Sequence, residues 1–396
     1  MSPSTSRIFV TGMGVIAPSG PGLDAFWRTL CDAEPCFTEL SPHYDGMRPG
    51  TLGGRVPAAA AEAARARAWR AGVPFAGTAS AYAVSCALDA LADAGLAPDD
   101  PLLGSAMVCV GTSDGQADQF EAAVAGTGDT KDARISSYSV AEAVALAVGT
   151  SGPAFVVQNT CASANVALSC GVDMIQAGVC DVAVVGGADA YSMKNIIGFN
   201  SIQAIGPEPC RPFAAGRRFV TPSEGAGILV LQSERSLREG VTPWAELLSV
   251  AVGNDASHPT ALNPVGVAAC HEAALARAGI RPEDIDVIYA HGTGSVINDE
   301  VEGKLFTSRY PQAAVTAIKG TVGHLMGAAG AAGAVASCLT LRHGVVPPTA
   351  TDADRVEFGL NLVTGTARTA DVRHVQNNAF GFGGNNAISI FRAVRP

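Results

Sequence analysis

Charge is scarce in this chain of 396 residues: 16% are Asp, Glu, Lys or Arg, against 48% apolar. That balance excludes a disordered segment, a fibrous repeat or a polar linker and predicts a sizeable buried core. Basic residues are scarcer still, 26 against 36 acidic for a net charge of -10. This argues against a polyanion-binding surface, so no nucleic-acid partner is expected. Also missing is any run of about eighteen apolar residues free of Gly, polar or charged interruptions, so no membrane partner is expected. The segment Met1–Ser6 has neither the basic start nor the apolar stretch of a signal peptide, which points to the cytoplasm. The ten cysteines form no CxxC pair and no Cys/His cluster at zinc spacing. No metal is therefore expected, and most thiols read as small core residues.

What is present is an alternation of short β-rich runs with alanine-rich helical stretches, the pattern of an α/β fold with buried strands. In the first half, Ile8–Thr11, Ala106–Val110, Ala154–Gln158, Val182–Val185 and Ile228–Leu231 read as strands. In the second, Val287–Ala290, Ala313–Ile318, Val372–Asn377 and Ala387–Phe391 do so, with helices at Ala268–Gly279, Asp299–Tyr310 and Gly327–Leu341. A break near Glu239–Pro243 divides the chain into halves 1–240 and 241–396. The Ala/Arg/Glu run Ala58–Ala71 and the loop Gly126–Arg134 read as solvated surface.

The sharpest chemical signal is the segment from Val156 to Ala164, a strand running through Gln158-Asn159-Thr160 into Cys161 at the start of a helix. A cysteine there faces unpaired N–H groups and the positive end of the helix dipole, which lowers its pKa and favours a thiolate. On this segment alone, a nucleophile and a cysteine packed in a tight turn stand level. Two further segments shift the balance. Tyr289-Ala290-His291-Gly292-Thr293-Gly294-Ser295 puts a histidine at a strand exit before a glycine-spaced polar loop, and Lys319-Gly320-Thr321-Val322-Gly323-His324 repeats the device. Two such histidines beside small residues predict a shared cleft. A fourth segment, Phe380-Gly381-Phe382-Gly383-Gly384, alternates aromatics and glycine before the last strand. Taken alone it reads as a turn with core aromatics.

Together these motifs, TCASA at Cys161, HGTGS at His291, KGTVGHLMGAAG from Lys319 and the FGFGG loop, resemble the β-ketoacyl-ACP synthases of fatty acid and polyketide assembly over almost the whole chain. The resemblance implies a thiolase-like α/β fold, two similar βαβαβ halves in a five-layer αβαβα arrangement, with the cysteine in 1–240 and both histidines in 241–396. It implies decarboxylative Claisen condensation of a malonyl group with an acyl chain on Cys161. His291 and His324 would hold the enolate, Lys319 would join them as a catalytic residue, and the N–H groups of Cys161 and Phe382 would form the oxyanion hole. Phe382 would also gate the site, with Gly381 and Gly383 supporting it, and Thr293 and Ser295 would contact a phosphopantetheine arm. No intrinsic cofactor is implied, since the substrates ride on the acyl carrier protein. That carrier is the implied partner, beside a second subunit in a homodimer or in a heterodimer with a chain-length factor, with contact sought in Gly104–Tyr138. Carrier docking is expected on a basic patch, Arg65, Arg67 and Arg70 or Arg211, Arg217 and Arg218.

Three departures from the family pattern stand out. A glutamate is usual nine residues after the second histidine, where this chain has Gly333, so Asp299 is expected to hold Lys319 instead. Asn385 replaces a threonine after FGFGG, and Arg211–Arg218 lacks the usual aspartates, although Glu224-Gly225-Ala226-Gly227 is kept. These point to a type II polyketide ketosynthase subunit rather than a housekeeping fatty-acid elongation enzyme. A chain-length-factor-like subunit would lack the cysteine and a thiolase would need a second catalytic one, whereas acyltransfer without condensation stays open as an alternative. The G-x-G-x-x-A match at Gly12–Ala17 suggests a dinucleotide site, but Pro18, Gly20, Pro21 and Gly22 break the helix that it requires. His43, His258, His271, His343 and His374 fit no motif and read as surface or structural residues.

Overall fold

The structure, a computed structural model, describes residues 6–40, 46–127 and 134–394. His43 and residues 128–133 of the expected polar loop lie outside the described residues, as do Met1–Thr5. The first part of the chain contributes β1 (Ile8–Ala17), β2 (Gly20–Pro21), β3 (Thr38–Glu39), β4 (Leu52–Gly53), β5 (Met107–Gly111), β6 (Ala154–Val157), β7 (Val182–Asp189) and β8 (Gly225–Ser233). The rest contributes β9 (Ala245–Asn254), β10 (Val287–Tyr289), β11 (Ala314–Thr316), β12 (Val345–Val346), β13 (Arg368–Thr369), β14 (His374–Gly381) and β15 (Asn385–Arg392).

The main sheet runs β11-β10-β14-β15-β9-β1-β8-β7-β5-β6, with β2 paired to β1. Each side of the β9–β1 junction has the same spatial order, its first, fifth, fourth, second and third strands in chain sequence. The parallel pairs β5–β6, β5–β7, β10–β11 and β10–β14 carry the outer parts of both sides.

Alternation along each strand sets the layers, because successive side chains point to opposite faces. Val182, Val184, Ile228 and Val230 face an outer layer of helices Ala58–Arg70, Thr78–Asp93 and Tyr138–Val148. Ala183, Val185, Leu229 and Leu231 face inward on the helices Ser163–Gln176 and Ala329–His343. Val287, Tyr289 and Val375 close the same central layer from the other side, while Ile288, Val315 and Ile390 face outward on Pro264–Ala278 and Val296–Arg309. The result is helix, sheet, helix, sheet, helix. The strand β9, absent from the sequence reading, joins the two sides through Phe9 opposite Glu246 and Val10 opposite Ala245.

The glycines of the dinucleotide-like match serve packing. They lie inside β1, which continues to Ala17, and a Cβ on Gly12 would overlap the Ala90 carbonyl oxygen and come within 2.6 Å of Ala94 N. Gly12→Ala should therefore lower stability by about 2–3 kcal/mol as a small-to-large change against backbone. Gly253→Ala, where a Cβ meets nothing within 4 Å, should be near neutral in the same denaturant titration.

Candidate active site

The chain leaves β6 through a 3-10 turn, Thr160–Ala162, before the helix Ser163–Gln176 begins. Thr160 has φ 51, which marks a sharp elbow. Ser163 Oγ pins it, donating to Thr160 O at 2.6 Å and accepting from Asn159 N at 2.8 Å. Cys161 thus sits in the turn and not in the helix itself. Its thiol is not the lowered-pKa group expected from the sequence: burial pushes it up to about 12, opposed by Lys319 and by the N–H groups of Cys161 and Phe382. Desolvation outweighs the favourable dipoles because the sulfur is almost wholly enclosed.

His291 lies two residues past the end of β10, and its backbone N–H, with that of Gly292, donates to the Glu302 carboxylate at 2.8 and 2.7 Å. After β11 the short helix Lys319–Val322 and Gly323, at φ 74, bring in His324. The two imidazoles lie 5.4 Å apart and nearly perpendicular. Met326 N donates to His324 Nδ1 at 3.1 Å, and Lys319 Nζ lies 3.4 Å from His291 Nδ1. Both Nδ1 atoms therefore accept, which assigns the proton to Nε2 on each ring. Burial and the neighbouring Lys319 hold both histidines well below the ordinary range. At neutral pH they are uncharged donors.

Lys319 Nζ donates to His291 O at 2.5 Å. Burial lowers its pKa, and the Glu302 carboxylate does most to oppose that shift. Asp299 makes no hydrogen bond or ion pair with Lys319, contrary to the sequence expectation, and its charge supports the ammonium less than that of Glu302 does. It sits in the first turn of Val296–Arg309, accepts from Phe213 N at 2.8 Å and Gly294 N at 3.3 Å, and pairs with Arg217 at 3.5 Å. Glu302, one turn further on, is the carboxylate behind the site. Four N–H donors face it, from His291, Gly292, Asn298 and Asn378. Burial pushes its pKa up to about 7, while the Gly292 and His291 N–H groups and Lys319 act against that rise.

Phe382 occupies the turn between β14 and β15, 5.8 Å from the Phe199 ring. Gly381 is required because a Cβ there would overlap Thr160 Oγ1 and come within 3.1 Å of Cys161 N. Gly383, at φ 82, donates to Pro259 O at 2.8 Å. The departing residue Asn385 ties the turn together: it donates to Phe382 O at 2.8 Å and accepts from Asn159 at 3.2 Å and Asn254 at 3.0 Å.

Two cavities meet here. One, of about 270 Å³, is lined by His291, His324, Thr293, Ser295 and the exposed Arg218; the other, of about 260 Å³, by Ser113, Lys194, Asn195 and Met326. Cys161, Phe199, Ile202, Thr260 and Phe382 line both. Thr293 Oγ1 and Ser295 Oγ lie 2.9 Å apart on the first wall. A larger cavity, of about 840 Å³, lies elsewhere, beside Arg55, Tyr82 and Glu224, and includes no histidine.

The structure thus brings Cys161, His291, His324, Lys319, Phe382, Thr293 and Ser295 to one place. It separates the basic residues. Arg217 is buried on Asp299 and Glu357, Arg211 is paired with Asp352 and Glu208, and Arg65 and Arg67 bond to Thr78 and Asp89. Arg218 alone of those expected lines the site, and both it and exposed Arg48 pack on Phe219. Two carboxylates escaped the sequence reading. Glu302 shares a helix face with buried Asn298 and Phe306, a spacing that flags it, and Asp189 ends the apolar strand β7. Asp189 accepts from Thr112 Oγ1 at 2.6 Å and Gly327 N at 2.6 Å, joining the loop after β5 to the turn after His324.

The chain matches the family model "Beta-ketoacyl synthase, N-terminal domain" over residues 5–236 and "Beta-ketoacyl synthase, C-terminal domain" over 244–351. It is 37% identical over 258 residues to "Nodulation protein E" of Rhizobium meliloti, a match that covers 63% of this chain and 64% of that protein. With "3-oxoacyl-[acyl-carrier-protein] synthase 2" of Rhizobium meliloti (strain 1021) it shares 31% identity over 419 residues, 98% of each chain. Among solved structures, "The ishigamide ketosynthase/chain length factor" superposes with a TM-score of 0.88 at 35% identity, over 98% of this chain and 100% of the other.

With a thiol pKa near 12, the thiolate fraction grows tenfold per pH unit. Alkylation of Cys161 by iodoacetamide should therefore climb about tenfold per unit from pH 7 to 10, without a plateau. Lys319→Met should slow it at every pH; a plateau below pH 9 in the rate profile would contradict the assignment.

Proposed function

The chain belongs to the β-ketoacyl synthase family, and from that premise we propose that it condenses a malonyl group with an acyl chain held on Cys161, both delivered by an acyl carrier protein. The observation that carries the reading is the convergence on one cavity of a buried thiol, two Nε2–H imidazoles and the Cys161 and Phe382 N–H groups.

In the first step Cys161 sulfur attacks the thioester carbonyl of the acyl carrier. The N–H groups of Cys161 and Phe382 hold the tetrahedral oxyanion, and its collapse expels the carrier thiolate, which ends with the proton that Cys161 gave up. Lys319, the cation acting on the buried sulfur, eases that proton loss. In the second step the malonyl thioester oxygen accepts from His291 and His324 Nε2–H. The bond to its carboxylate breaks, carbon dioxide leaves and the electron pair becomes an enolate. Its carbon attacks the acyl-Cys161 carbonyl, and the same N–H pair receives the oxyanion before the C–S bond breaks. The products are the β-ketoacyl carrier and free Cys161. Neutral histidines suit this step, since an uncharged donor stabilises the enolate without protonating it.

Thr293 and Ser295 stand along the wall where the phosphopantetheine arm would enter, and their hydroxyls match its amides. No further cofactor enters this chemistry. Arg218 with Arg48 supplies basic charge at the mouth for the carrier. The condensing reading divides the chain as 1–240 and 241–396, a Cys161 half and a half with both histidines in a thiolase-like fold. The departures at Gly333 and Asn385, with the likeness to a ketosynthase/chain length factor, favour a type II polyketide ketosynthase over a fatty-acid elongation enzyme. The edge strand β6, with Phe155 39% exposed, is where a second homologous subunit would add, near exposed Leu146 and Tyr138. The described helices include none long and apolar enough to cross a membrane, in keeping with work in the cytoplasm.

Intact-protein mass spectrometry tests the reading. Wild type mixed with an acyl carrier should gain the acyl mass and then, with malonyl carrier, release a chain longer by two carbons; Cys161→Ala should gain nothing. His324→Ala should still acylate but condense at least about 100-fold more slowly, the scale of a lost oxyanion donor. Arg218→Glu should raise KM for the carrier substrate with kcat little changed; an unmoved KM excludes docking there.

A further inference from the structure

We infer that the buried carboxamide pair Asn165–Asn377 is a positioning element that sets the oxyanion hole, acting on acylation of Cys161 and not on decarboxylation. The inference rests on the condensing reading above. Asn165 lies four residues past Cys161 and Asn377 five residues before Phe382, so the pair spans the two segments that supply the hole. Asn165 Nδ2 donates to Asn377 O at 3.3 Å and Ala387 O at 3.2 Å. Asn377 Nδ2 reaches Asn165 Oδ1 at 3.2 Å, Gly330 O at 2.9 Å and Ser389 Oγ at 3.2 Å. Three elements are thereby locked together: the nucleophile's helix, the β14–β15 hairpin and the helix that follows His324.

The surrounding contact explains why directional bonds are needed. Ala162, Ala379 and Ala387 form the apolar seam between turn and hairpin. Such small side chains permit close approach but leave sliding nearly free, whereas paired amides fix one register. The facing helix is cut away to admit them. A Cβ on Gly333 would overlap Asn377 Oδ1, and one on Gly330 would lie 2.8 Å from Asn165 Oδ1. Position 333, where the family pattern has a glutamate, is thus filled from across the layer by Asn377. The histidines are held by Glu302, Lys319 and Met326 N, to none of which Asn165 or Asn377 bonds directly, so the two half-reactions should respond differently.

The test compares wild type, Asn377→Ala, Gly333→Ala and the double variant in three assays: Cys161 acylation by an acyl carrier, carbon dioxide release from malonyl carrier, and thermal melting. Asn377→Ala should slow acylation about 10–100-fold, part of the loss from removing a whole donor, with carbon dioxide release within about threefold. Gly333→Ala, which pushes the carboxamide aside, should do the same. In the double variant the new methyl occupies vacated space, so melting should recover while acylation stays slow. Unchanged acylation in the single variants overturns the inference, as does a double variant in which acylation returns together with melting. Wild type failing to acylate Cys161 removes the condensing reading and this inference with it, whereas wild type and variants acylating alike removes only the inference.

Discussion

Lys319 donates to the carbonyl of His291 across 2.5 Å, and this contact joins loops that leave β10 and β11. The ammonium sits against His291 Nδ1 and so assigns that ring's proton to Nε2. It also draws the Cys161 thiol downward from a pKa that burial alone would set higher. Glu302 completes the arrangement from behind, gathering the N–H groups of His291 and Gly292. A buried cation, a buried carboxylate and two neutral imidazoles are individually costly, and together they satisfy one another. Asp189 extends the same principle to the other side, where its carboxylate joins the loop after β5 to the turn after His324.

The sheet topology makes this meeting possible. The strands on either side of the β9–β1 junction follow one order, and the chemistry sits at equivalent carboxyl ends. β6 leads to Cys161 and its counterpart β11 to Lys319 and His324; β7 ends at Asp189 and its counterpart β14 leads to Phe382. Loops at strand ends are free to carry polar groups while the strands stay apolar. The helices Ser163–Gln176 and Ala329–His343, back to back in the central layer, hold the two sets of loops at a fixed separation.

The groups that meet at the candidate site were legible because unusual residue types stood beside glycines at strand exits. The departures were legible as departures, but their consequences were not. Gly333 looked like the loss of a partner for Lys319, whereas the space is taken by Asn377 from a strand 44 residues further on. Asp299 and Glu302 lie one turn apart on the same helix, and only its docking decides which faces which loop. Arg217, counted with surface cations, is buried against Asp299 and Glu357. The strand β9 went unread because Glu246 interrupts its apolar pattern, and that glutamate is accommodated by Arg7 at 2.7 Å and Arg392 at 2.6 Å.

Sequence by itself determined the α/β class, through composition and periodicity, and the motifs that carry the family resemblance, which named the thiol, the two histidines and the lysine that the structure gathers at one place. Tertiary structure decided the protonation state of Cys161, the tautomers of both histidines, the true surroundings of Lys319 and the amide pair that fills position 333. The physical reason is range. Periodicity and turn chemistry act within a few residues, whereas desolvation, hydrogen-bond direction and steric fit depend on atoms brought together from distant parts of the chain.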